Sequence, residues 1–229
     1  DITEQRRAEE EKLAQVLRQR DALVREVHHR IKNHLQGVAA LLKQKVGKDR
    51  TTAAPLEAAA AQLQSVAAVY GLHSEAITAG VGLRGVLHAV CSSVESMTGE
   101  RIARRFAAGD AGSLRLAEAE AVPVAVALNE LVMNALKHCA TRPCEECVEV
   151  ALLEKAGAAE IRIANRGKLP AGFDYARGNG IGTGLDLVRT LLAAKGSKLL
   201  FRQGGNTVEA VLTLNRPLVV TAAPLERVA

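Results

Sequence analysis

The sequence predicts an α+β chain: an N-terminal helical hairpin that pairs into a dimeric four-helix bundle, followed by an α/β two-layer sandwich. Three observations carry that expectation. Apolar residues recur at helical spacing from Leu23 to Leu42 and again from Leu56 to Tyr70, with a break between Gly47 and Pro55. From about residue 80, helical segments interleave with alternating ones, as when helices cover one face of a sheet. Finally, 48% of the 229 residues are hydrophobic but only 2% are aromatic and none is Trp. The core is therefore built from Ala, Leu and Val, which suits closely packed helices.

Residues 1–22 are highly charged, with sparse apolar positions at Leu13, Val16 and Leu17. They read as a solvated helix or short coiled coil running into the next segment. In the hairpin, residues 23–79, a helical step of about 100° puts Leu23, Val27, Ile31, Leu35, Val38 and Leu42 on one stripe roughly 120° wide. His29 points away from that stripe, His28 and His34 lie on its flanks, and Asn33 shares the outward face of His29. An imidazole on a rigid helix, aimed at solvent and largely neutral near pH 7, is a candidate nucleophile. Glu26, about one turn earlier, is the nearest helical carboxylate and a candidate partner for the ring N–H. The second helix carries Leu56, Leu63, Val66 and Tyr70 with alanines between them. One hairpin buries its apolar face poorly, and two related by a two-fold axis bury it well, so a homodimer is expected.

Residues 80–216 form the sandwich. Leu83–Met97 is expected to be a helix, with short strands at Arg101–Ala107 and Ser113–Leu116. Pro123 is expected in the first turn of the apolar helix VPVAVALNELVMNALKH. Strands follow at Val148–Leu153 and Glu160–Ala164, a helix at Leu185–Ala194, and strands at Lys198–Arg202 and Val208–Leu214. The tail, residues 217–229, has no clear pattern.

Three short stretches carry chemistry. In NELVMNALKH, Glu130, Asn134, Lys137 and His138 recur at three- and four-residue steps, on one face of a helix whose other face is apolar. Mg²⁺ takes hard oxygen ligands and keeps several waters, so one amide oxygen from Asn134 is a sufficient anchor. Lys137 can neutralise a phosphate as a point charge. The stretch Gly178–Leu187, GNGIGTGLDL, sets four glycines directly before a helix. Glycine lets backbone N–H groups approach phosphate oxygens, and a helix N-terminus favours anions. No Gly-Lys-Ser/Thr follows and no strand immediately precedes it, so it is neither a Walker A loop nor a dinucleotide fingerprint. In IANRGKLP, residues 163–170, Asn165 can hydrogen-bond an adenine edge and Gly167 lets the backbone approach the base.

In this order, the histidine box HHRIKN, the NELVMN box, the Asn-Arg-Gly turn and the Gly-Thr-Gly-Leu loop resemble the sensor histidine kinases over roughly residues 20–215. The nearest likeness is to the subfamily whose box reads His-His-Arg-x-Lys-Asn, related to the HWE kinases. The resemblance implies a dimerisation and phosphotransfer hairpin followed by a Bergerat-type (GHKL) ATPase domain that uses ATP and Mg²⁺. It makes His29 the phosphoacceptor, Asn134 the Mg²⁺ ligand and Glu130 the acid that orients water or helps proton transfer. Lys137 and His138 match a phosphate-contacting pair. Gly180, Gly182, Thr183, Gly184 and Leu185 match the loop that closes over the phosphates, and Asn165 and Gly167 lie where the adenine is bound. A response-regulator receiver domain would take the phosphoryl group. The opening Asp1-Ile2-Thr3 before a charged helix resembles the exit of a PAS domain and implies an upstream sensor.

The sequence also departs from that pattern. Asn165 stands where the family usually has Asp, Lys168-Leu169 replace a second glycine, Asp186 replaces another, and the lid between Pro170 and Gly182 is short. These departures leave two alternatives open: a degenerate, non-catalytic dimeric signalling adaptor, or a GHKL ATPase or serine kinase.

The net charge of +5 is spread along the chain without aromatic interleaving, which argues against a nucleic-acid surface. No signal peptide or membrane span is expected in this fragment, and the expected location is cytoplasmic. Cys139, Cys144 and Cys147, beside His138, raise a metal or redox reading, although the single C-x-x-C pair argues against four-ligand convergence.

Overall fold

The computed structural model describes residues 2–46, 81–106, 114–141, 146–155, 157–193 and 196–221, and part of 56–71. The first helix, α1, is Ile2–Val46. It joins the charged segment and the histidine box without a break, over about 67 Å at 1.5 Å per residue. The described residues between 56 and 71 are helical. Ala39 on α1 and Ala60 and Ala67 on the second segment are buried, and Val69 joins the hydrophobic core of the C-terminal domain. Between the two segments, the His28 ring meets Tyr70 edge-on at a centroid distance of 5.5 Å. The expected break at 47–55 lies outside the described residues.

The expected stripe on α1 divides into two lines. His28, Ile31 and Leu35 are half-buried and Ala39 is fully buried. Leu23, Val27, Val38 and Leu41 stay exposed, in line with exposed Leu13, Val16 and Leu17. A single partner helix covers only part of a stripe this wide, which is why the division occurs.

The main sheet has the order β2-β4-β5-β7-β6. Its strands are β2 (Ile102–Phe106), β4 (Val148–Lys155), β5 (Ala158–Arg166), β6 (Ser197–Gly204) and β7 (Thr207–Leu214). The β2–β4 pair is parallel and the other pairs are antiparallel. A smaller sheet joins β1 (Val81–Gly82), β3 (Leu114–Leu116) and β8 (Val219–Thr221). The domain helices are α2 (Leu83–Thr98), α3 (Glu118–Lys137) and α4 (Thr183–Leu191). Along β5, burial alternates so that Ala159, Ile161, Ile163 and Asn165 face inward. Their inner face packs under α3, which also contacts α2 and α4.

Two expectations are corrected. Helix α3 begins at Glu118, so Pro123 lies inside it rather than in its first turn. Glu118 and Glu120 in the first turn suit the positive end of the helix dipole, and Pro123 removes only one backbone donor. The tail is not patternless from residue 217: Val219–Thr221 pairs antiparallel with Leu114–Leu116. Helix α3 is also the one described helix long and apolar enough to cross a membrane, and here much of it is buried in the protein core.

Candidate functional site

The C-terminal half of α3, the end of β5 and the glycine loop enclose a cavity of about 220 Å³. Asn134, Lys137 and His138 line it from α3, Asn165 and Lys168 from β5 and its turn, and Gly180, Gly182, Thr183, Gly184 and Leu185 from the loop and the start of α4. The three stretches picked out separately in the sequence thus meet at one place. An apolar wall of Leu131, Ile163, Phe173, Phe201 and Val208 completes the cavity. Phe173 and Phe201 pack edge-on at 5.1 Å. Sequence reasoning missed both, although two of only three phenylalanines in the chain were a usable signal.

Asn165 is 7% exposed. Its Nδ2 donates to the carbonyl oxygens of His138 and Arg166, each at 3.3 Å. The amide orientation is fixed by these two acceptors, which leaves Oδ1 free to act as an acceptor. Gly167 is required next to it, because a Cβ there would lie 2.7 Å from the His138 carbonyl oxygen.

Glu130 sits beside the cavity. A Cβ at Gly184 would lie 2.5 Å from its Oε2. Its Oε1 accepts a 2.7 Å hydrogen bond from Nε2 of Gln62, on the second hairpin segment. Gln62 is a second residue that sequence reasoning missed. Asn134 lines the cavity with its Nδ2 buried and without a hydrogen-bond partner among the described residues. That N–H can donate to a phosphate oxygen or to a water held by Mg²⁺, and Oδ1 of the same amide is the atom that could ligate the ion, on a wall shared with Lys137 and glycine N–H groups. Asn129, fully buried, also has both side-chain polar atoms without a described partner, and nothing in the sequence distinguished it.

The glycine loop is braced from outside the cavity. Asp174 and Asn179 exchange two backbone hydrogen bonds, of 3.0 and 2.9 Å. Gly178 and Gly180 have φ of 79° and 71°, a region that disfavours side chains. Asp186 pairs with Arg189 at 2.8 Å, so its carboxylate has a fixed cation within α4.

On α1, His29 is exposed as expected. Glu26 does not serve it in the expected way: Glu26 Oε1 accepts from Arg30 Nε at 2.7 Å. That guanidinium holds the Glu26 carboxyl below the usual range. The physical reason is a permanent cation at the i+4 position, on the same helical face as Glu26. Asn33 is the residue that reaches the ring, with Nδ2 3.4 Å from His29 Nδ1.

Among the described residues the cysteine cluster offers no metal centre. Cys147 is disulfide-bonded and so offers no thiolate. Cys139 is a buried free thiol directed at the Cys147 carbonyl oxygen, 3.5 Å away. Cys144 lies outside the described residues, and among those described no group of His, Cys, Asp and Glu could hold a metal ion.

A family model described as HWE histidine kinase matches residues 26–106. The sensor histidine kinase PdtaS of Mycolicibacterium smegmatis is 28% identical over 201 residues, which is 85% of this chain and 38% of that protein. PdtaS of Mycobacterium tuberculosis is 29% identical over 200 residues, with the same two coverages. The chain therefore spans under half the length of these curated relatives. Among solved structures, the histidine kinase domain of the Erythrobacter litoralis EL346 blue-light activated histidine kinase shares the fold. Its TM-score is 0.59 at 17% identity, over 89% of this chain and 94% of that one. Together these findings support a sensor histidine kinase of HWE type.

Proposed function

We propose that this chain is the phosphoacceptor and ATP-binding core of an HWE-type two-component sensor histidine kinase. The observation that supports it most is the convergence of Asn134, Lys137, His138 and the glycine loop on one cavity whose apolar end carries Asn165. Asn165 Oδ1 accepts from the adenine amine, against the wall formed by Ile163 and Phe201. Lys137, His138 and the loop N–H groups bind the phosphates. Asn134 would hold Mg²⁺ through its amide oxygen, and the ion supplies charge neutralisation when bound.

The γ-phosphoryl group passes to a ring nitrogen of His29 in a loose, in-line transfer. The bond to the departing ADP breaks as the P–N bond forms, and the imidazole proton is released. With the Asn33 amide turned the other way, its Oδ1 accepts Nδ1–H and leaves Nε2 with a free lone pair. Glu130 assists proton movement near the transferred group. The exposed apolar line on α1 is covered by a second copy, making a homodimer. The phosphohistidine then donates to an aspartate of a receiver domain, under control of an upstream sensor, in the cytoplasm.

Incubation with Mg²⁺ and γ-labelled ATP tests this reading. Acid-labile, base-stable label that disappears in Asn134→Ala is expected. Acid-stable label would indicate a serine kinase, and absence of nucleotide binding would favour an adaptor.

A further inference from the structure

We propose that Lys32, with Arg25 beside it, forms a cation pair on the hairpin that holds the phosphoryl group His29 receives. The pair rests on the kinase function proposed above and names two further residues of that same reaction.

At a helical step of about 100°, Arg25 and Lys32 stand about 40° and 60° to the same side of His29, one turn before it and one turn after it. Residues three and four apart on a helix have Cβ atoms about 5–6 Å apart. Both side chains are half-buried, whereas His29, Arg30 and Asn33 are exposed. The second hairpin segment lies on this side of α1, where His28 meets Tyr70.

Lys32 is held in place by that segment. A Cβ at Gly71 would lie 3.3 Å from Lys32 Nζ, 3.4 Å from Cδ and 3.5 Å from Cε. The lysine tail therefore runs along a residue that has no side chain to block it. Helical side chains lean toward the N-terminus, which carries the ammonium back toward the level of His29.

The charges around His29 leave these two cations available. From Asp21 to Val46, α1 carries two carboxylates, Asp21 and Glu26. Each is paired elsewhere, Asp21 with Arg20 and Glu26 with Arg30, both at 2.7 Å. Among the described residues, neither Lys32 nor Arg25 has a hydrogen-bond or ion-pair partner. A half-buried ammonium is usually paired, so its anion is one that arrives with the reaction. A phosphoryl group brings up to about two negative charges near pH 7. With Asn33 at Nδ1, that group is carried on Nε2, within reach of both long side chains. A unit cation about 6 Å from a dianion, in a water-like dielectric, favours the phosphorylated form by about tenfold. Salt reduces the effect, because the screening length is about 8–10 Å at physiological ionic strength.

Three substitutions in the full chain test the pair. Lys32→Met keeps the length of the side chain and removes its charge, and Lys32→Arg keeps the charge. Arg18→Met removes the same charge from an exposed position about 16 Å along α1 from His29. Acid-labile phosphohistidine is followed at fixed ratios of ADP to ATP, with Mg²⁺ and low salt, until its level is constant. This gives the equilibrium constant for transfer. A misplaced reactant slows transfer in both directions and leaves that constant unmoved, so a merely structural role of Lys32 does not change it. Lys32→Met should lower the constant about tenfold, and the deficit should shrink in about 0.5 M salt. Lys32→Arg and Arg18→Met should stay within about twofold of wild type. A constant unmoved in Lys32→Met overturns the pair. So does an equal fall in Lys32→Arg or in Arg18→Met. If the wild type forms no phosphohistidine from ATP, its histidines are phosphorylated chemically with phosphoramidate. The phosphorus NMR signal missing from His29→Gln is then titrated with pH. Ionisation of that phosphoryl group at a lower pH in wild type than in Lys32→Met sustains the pair, and the kinase function alone fails. Equal titrations overturn the pair.

Discussion

The side-chain amide of Asn165 reaches the main-chain carbonyl of His138 at 3.3 Å, tying the end of β5 to the end of α3 across the base of the cavity. The same nitrogen also faces the Arg166 carbonyl. An amide can donate to both, whereas a carboxylate would place negative charge against two carbonyl oxygens.

Asn165→Asp restores the residue usual in the resembling kinases, yet it should weaken ATP binding here. The expected loss is about tenfold, from two lost donors and an unfavourable buried charge. Isothermal titration with Mg²⁺-ATP measures it, and an affinity gain would show that the neutral amide was the handicap the sequence suggested.

Gly184 faces Glu130 so closely that a methyl group would lie 2.5 Å from Oε2. Gly184→Ala should displace either the carboxylate or the start of α4. ATP turnover should fall at least tenfold with little change in thermal stability, a loss of more than about 1.4 kcal/mol at the transition state. Measuring Tm alongside turnover separates a local effect from unfolding.

Arg30 holds Glu26, and Asn33 reaches the His29 ring. Asn33→Ala should therefore slow autophosphorylation more than Glu26→Gln does, by about fivefold, somewhat below the usual range for a positioned proton-transfer group. The reverse order would return the imidazole partnership to Glu26.

His88 provides a pH test of the fold. Burial, then the positive charges of Arg104 and Arg84, lowers its pKa below the usual imidazole value. The unfolded chain then binds a proton more readily than the folded one. Stability is fully present above the ordinary histidine pKa of about 6.5 and is lost as pH falls from there through the lower folded value. Melting temperatures measured from pH 7.5 down to 5 should fall, and His88→Gln should flatten part of that slope.

Much of this architecture was legible because local periodicity coincides with burial. The alternation in β4, β5 and β7 and the polar edge of α3 each follow from side-chain spacing along a single element. What was not legible depends on contacts between elements. Three residues of β8 are too few to alternate recognisably, and only pairing with β3 makes them a strand. Gln62 is one amide in an alanine-rich stretch, and its hydrogen bond exists only once Glu130 is folded against it. Spacing alone put Glu26 near His29, but Arg30 shares that helical face and carries a permanent charge. The acidic first turn of α3 went unread because Pro123 looked like the better start.

The central claim is that His29, held outward on α1, accepts a phosphoryl group from ATP bound in the cavity. The most direct test compares wild type with His29→Gln and His28→Gln after incubation with Mg²⁺ and γ-labelled ATP. Acid-labile label on the wild type and His28→Gln, but not on His29→Gln, is the predicted result, because His28 packs against Tyr70 while His29 faces solvent. Label persisting in His29→Gln, or absent from the wild type while ATP still binds, would contradict it.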